Sequence, residues 1–74
     1  MQPGDLVKLV AVYGGEDRSV TVFHDSRPRS TRLPEGTGAV FLGCLEGSEE
    51  EEGNPCILVE GRVGWVWAEE LEAL

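Results

Sequence analysis

Ten glycines and four prolines punctuate this chain of 74 residues, and the stretches they leave are too short for a helix of useful length. Between them lie brief apolar or alternating runs: "DLVKLV", "SVTVF", "GTGAVFLG", "CILV" and "RVGWVW". Runs of this length, rich in β-branched residues and bounded by turn formers, read as strands. An all-β chain of this size folds as a small barrel or sandwich. A chain this short buries only about 60% of its unfolded surface, so its margin of stability is thin. Hydrophobic residues make up 41% of it, enough for a compact core and too many for a disordered tail.

The alternation assigns sides. Lys8 facing solvent turns Val7, Leu9 and Ala11 inward. A turn at "YGGEDR" leads into a second short strand in which Val20 and Val22 alternate with polar neighbours. Residues 24–36 carry two prolines and no periodicity and are expected to form a long loop. "GTGAVFLGCL" is a third strand, apolar on both faces, and residues 46–55 form an acidic loop. "CILVEGRVGWVW" is a hairpin turning at Glu60-Gly61. That turn sets Val59 opposite Arg62, Leu58 opposite Val63, Ile57 opposite Gly64 and Cys56 opposite Trp65. "AEE" makes one helical turn, and "LEAL" closes the chain as a short strand. The whole of 1–74 is expected to be one domain.

"PGDLVKL", "GTGAVFLG" and "GRVGWVWAEELEAL", in that order, resemble the SH3-like barrels, and the combination is similar to small single-domain SH3-like proteins of tailed bacteriophages. The resemblance covers residues 3–12, 36–43 and 57–74. It implies a five-stranded SH3-like barrel with one short helical turn before the last strand. It does not extend to proline-rich peptide binding. The acidic, aromatic peptide-binding loop is absent, and Trp67 stands where a proline usually follows Gly-aromatic-Val.

Both faces of the hairpin are apolar, so alternation alone does not say which is inside. The interior of a small barrel is filled by compact aliphatics, and two buried indoles would each need a partner for the N–H. The resemblance points the same way. Val7, Leu9, Ala39, Phe41, Ile57, Val59, Val66, Ala68 and Leu71 are therefore expected in the core. Trp65, Trp67, Leu58, Val63, Val40 and Leu42 are left on the outer face. Two readings of that face stand side by side: an interface for a partner or a second copy, or a secondary core covered by the 24–36 loop.

Charge narrows the function classes. The net charge is −8, which argues against a general grip on nucleic acid and makes that partner unlikely. Arg18, Arg27, Arg29 and Arg32 gather in one stretch, and Glu46 and Glu49–Glu52 form an opposite pole. Arg27, Arg29 and Arg32 of one copy could meet the acidic pole of a neighbour. Cys44 and Cys56 flank the acidic run, either as two small buried thiols or as a cross-strand disulfide. No metal or cofactor is expected, because the one histidine, His24, and two cysteines show no ligand spacing. His24 and Asp25 are sequence neighbours that point apart, His24 is expected at the surface, and no catalytic motif is present, so an enzyme is not expected. No apolar run spans a membrane and no secretory leader is visible, so the expected location is the cytoplasm or a virion. The leading reading is a structural, protein-interaction module, such as a capsid or tail decoration (cement) protein that forms oligomers or joins a larger assembly. The alternative is a small acidic inhibitor of a host enzyme that mimics nucleic acid with Glu46, Glu49–Glu52, Glu69, Glu70 and Glu72.

Overall fold

A computed structural model describes residues 1–13, 15–44 and 54–74. The chain is all-β. Its strands are β1 (Leu6–Leu9), β2 (Ser19–Phe23), β3 (Ser30–Pro34), β4 (Gly38–Cys44), β5 (Pro55–Val59), β6 (Arg62–Trp65) and β7 (Leu71–Ala73). They form one antiparallel sheet in the order β3-β2-β6-β5-β4-β1-β7. Single 3-10 turns lie at Gly15–Asp17 and Ala68–Glu70, the second just before β7. No helix of the described residues is long and apolar enough to cross a membrane.

The described residues thus contain seven strands, against the five of the barrel that the resemblance implies and the six stretches that read as strands in the sequence. The chief addition is β3, which occupies much of the expected 24–36 loop. In β3, Thr31 and Leu33 are half-buried while Ser30, Arg32 and Pro34 are exposed. Leu33 pairs with Val20 and Thr31 with Val22. The strand sits at the rim of the sheet, where a terminal proline interrupts no central ladder. The opposite rim is β7, three residues long. The sheet curls, and the turn after β3 reaches the other side of the ladder. There Gly36 N–H donates to the Leu9 carbonyl at 2.8 Å, and Leu9 N–H donates to that of Thr37 at 3.0 Å.

The core lies on the concave face: Val7, Leu9, Val20, Val22, Ala39, Phe41, Ile57, Val59 and Val66. Each large aliphatic buried there contributes on the order of 1.5–3 kcal/mol. Two expected members differ. Ala68 is exposed, because it opens the 3-10 turn and no longer follows the alternation of β6. Leu71 is half-buried and packs on the margin of the core. Val20 and Val22 take the interior places, brought in by β2.

The β5–β6 hairpin has the register its turn dictates: Val59↔Arg62, Leu58↔Val63, Ile57↔Gly64 and Cys56↔Trp65. Glu60 and Gly61 both have positive φ, +53° and +79°, as a two-residue hairpin turn of this twist requires. On the other side of β5 the ladder slips by one residue between Phe41 and Gly43. This bulge pairs Cys56 with Gly43 and Cys44 with Pro55, so the two cysteines are not directly opposed. The Cys44 side chain lies outside the described part, and so does the question of a bond between the thiols. Glu46 and Glu49–Glu52 also lie outside it.

Candidate functional site

The convex face of the sheet carries two apolar rows set by register. In the first, Leu6 pairs with Val40, Val40 with Leu58 and Leu58 with Val63. This row runs straight across β1, β4, β5 and β6, a span of about 15 Å at normal strand spacing. In the second, Cys56 pairs with Trp65 and Trp65 with Phe23. Leu42, the extra residue at the bulge, is exposed beside them. Leu6 is 61% exposed, Val63 57%, Trp67 43% and Leu58 40%. Val40 and Trp65 are half-buried.

Phe23, Trp65 and Trp67 form an aromatic cluster. Phe23 stacks on Trp65 with ring centroids 4.5 Å apart, and Trp67 meets Trp65 edge-on at 5.5 Å and Phe23 at 6.3 Å. Offset and edge contacts of this kind hold rings in fixed orientations. Phe23 therefore rigidifies the indoles and covers part of Trp65. Of the two readings of this face, cover by residues 24–36 is not what β3 provides: it extends the sheet sideways beside β2. Phe23 and Leu6 belong to the face and went unassigned in the sequence. Leu6 shares the phase of Lys8, which is the signal that could have found it.

His24 corrects the sequence expectation. It is buried, with Nδ1 3.0 Å from the Val63 carbonyl and Nε2 3.1 Å from Thr31 Oγ1. A carbonyl only accepts, so Nδ1 donates to Val63, and the Thr31 hydroxyl, which both donates and accepts, satisfies Nε2. The ring links β2, β3 and β6 where the sheet bends. Gly64 makes that approach feasible. A Cβ there would lie 2.5 Å from Val22 Cγ1, 2.8 Å from the Phe23 carbonyl oxygen and 3.0 Å from His24 Nδ1.

The arginines do not act as one cluster. Arg32 is held by Asp17 at 3.2 Å and by Ser19 Oγ at 2.7 Å. Arg18 pairs with Glu35 at 2.7 Å. Arg27 and Arg29 are exposed on the β2–β3 connection. Arg62 spreads its guanidinium over the carbonyls of Ser26 and Pro28, at 3.1 and 3.3 Å, and ties that connection to β6.

Glu70 is the second correction. It is only 2% exposed, and its Oε2 accepts from the backbone N–H groups of Val12 and Tyr13 at 3.3 and 3.2 Å. It clamps the segment after β1 to the last 3-10 turn through Oε2, so it is not one of the open surface carboxylates that mimicry of nucleic acid needs. Its neighbour Glu69 is exposed and accepts a hydrogen bond from the Tyr13 hydroxyl. That hydroxyl holds the Glu69 carboxyl below its usual range. The same bond, with partial desolvation and the charges of Glu69 and Glu70, raises the Tyr13 pKa. The neutral phenol is thus the form the fold favours. What it contributes is complete below pH 10 and is lost as pH rises through the elevated pKa. Tyr13 is the chain's one tyrosine, so ultraviolet titration reads it directly. The titration is expected to fall above 10 in the wild type and to move down toward 10 in Glu69→Gln. An unchanged midpoint would show the bond to be absent in solution.

Comparison with known family models, curated proteins and solved structures returned no match.

Proposed function

We propose that this chain is a non-enzymatic protein-interaction module that docks through its convex apolar face. Leu58, Val63, Val40, Leu42, Trp65 and Trp67 form the contact, together with Leu6 and Phe23. The observation that carries this reading is the pair of registered apolar rows ending in a braced aromatic cluster. A monomer seldom leaves so continuous an apolar strip uncovered. Rigid tryptophans flanked by aliphatics are the composition of an interface centre. Arg27 and Arg29, exposed on the β2–β3 connection and without an ion pair among the described residues, steer an acidic neighbour, whereas Arg32 is committed to Asp17.

The resemblance of "GRVGWVWAEELEAL" and its companion motifs to phage SH3-like proteins gives the assembly its proposed kind. The chain is read as an accessory of a capsid or tail, binding copies of itself or a repeating shell. An SH3-like barrel, with β3 added at the rim beside β2, is the finer fold proposed for this sheet.

The test is light scattering over a concentration series, joined to cosedimentation with assembled phage shells. The wild type is expected to self-associate or to sediment with the shells. Leu58→Asp and Val63→Asp place a charge on exposed positions and should spare the fold. Each is expected to weaken assembly by about a hundredfold, the scale of a central interface residue. A wild type that stays monomeric and leaves shells bare would refute the reading.

A further inference from the structure

At the Trp67 end of the apolar stripe lies a groove of about 280 Å³. Its lining includes three aromatic rings, Tyr13, Phe23 and Trp67, and the carboxylate-bearing Glu70. Arg32 and Ser19 form another part of the wall. The volume is just below the range of about 300–1,000 Å³ typical of drug-sized ligands, so it suits a single side-chain head.

Charge decides which kind of head. Arg32 turns its guanidinium to Asp17 and Ser19, and Arg18 is matched by Glu35. Of the groove's lining residues this leaves Glu70 as the charged group with no ion pair among the described residues. Glu70 Oε2 holds two backbone N–H groups, and its Oε1 has no hydrogen bond among the described residues. An anion entering here would meet the Glu70 carboxylate, which has no ion pair among the described residues, while the Arg32 charge is already matched by Asp17. A neutral aliphatic group would use the rings and ignore the charge. A cation uses both, because aromatic faces attract positive charge and a carboxylate in the same wall adds to the pull.

We propose that this groove receives an ammonium or guanidinium head, the basic side chain of the protein that covers the apolar stripe. The presenting partner rests on the docking function proposed above, whereas the affinity for the cation belongs to the isolated chain. Trp67 joins the two, since it borders the stripe and lines the groove.

The probes are N-acetyl-arginine amide and N-acetyl-lysine amide, with N-acetyl-norleucine amide as the uncharged control and tetramethylammonium as the small-ion control. Ionic strength is held constant, and the Trp67 indole N–H and Tyr13 amide are followed by NMR. Saturable shifts are expected with the arginine or lysine amide. Binding should be about tenfold weaker with the norleucine amide and about tenfold weaker in Trp67→Ala, an exposed position outside the core. Equal binding of the norleucine amide, or no saturable shift with either cationic amide, would overturn the assignment. Binding of tetramethylammonium alone would overturn the partner's side chain as the occupant. The result is separable from the docking assay. Loss of assembly in Val63→Asp without a cation shift removes the groove's role only. A cation shift in a chain that never assembles removes the presenting partner.

Discussion

Gly64→Ala is expected to lower stability by about 2–3 kcal/mol, the scale of inserting a carbon into a filled site. For a domain of this size that is a fall in Tm of roughly 10–20 °C. The added Cβ would sit 2.5 Å from Val22 Cγ1, and that methyl can rotate away only within a packed core. The Phe23 carbonyl at 2.8 Å is backbone, and His24 is fixed by Val63 and Thr31. Relief must therefore come from separating β2 and β6, which share a single ladder pair, Phe23↔Trp65. The same movement would loosen the ring stack on Trp65. A thermal melt by far-ultraviolet circular dichroism gives the first quantity, and the near-ultraviolet aromatic signal gives the second. A melt within about 2 °C of wild type would mean that the strands do not approach this closely in solution.

Glu70→Ala is expected to cost about 2–4 kcal/mol, because it strands the Val12 and Tyr13 N–H groups in a partly buried site. Glu70→Gln keeps an acceptor oxygen and loses only the charge assistance, so it should cost about half as much. The paired variants separate a hydrogen-bond role from a purely electrostatic one. Hydrogen exchange locates the effect: Val12 and Tyr13 amides should exchange faster in the alanine variant, while amides of β5 and β6 keep their protection relative to the global stability. Equal losses in both variants would assign the effect to charge alone.

Glu70 shows where sequence reading runs short. A glutamate in "WAEELEAL" looks solvated, and its burial follows from residues 10–13 folding onto the 3-10 turn nearly sixty positions away. His24 is the same case, since its two partners come from β3 and β6. The parts that were legible depend on local rules. The Glu60-Gly61 turn dictated the β5–β6 register, and volume placed the indoles outside and Ile57, Val59 and Val66 inside. β3 escaped notice because "STRLP" has weak strand propensity and a proline; it forms by pairing with Val20 and Val22, a tertiary effect. The bulge at Leu42 was equally hidden, and with it the offset of Cys44 from Cys56. For the candidate face, the six residues named from the hairpin and β4 all lie on the convex side, whereas Phe23 was missed because its strand's place beside β6 is a long-range fact.

The two rims of the sheet bear on how copies of this chain can meet. One has an arginine at its middle and ends in a proline, and the other is three residues long with a glutamate at its middle. Short, charged or proline-bearing borders resist extension by another strand. Contacts between molecules are thereby directed to side chains on the broad surface, and growth into fibrils by backbone pairing is disfavoured even at high protein concentration.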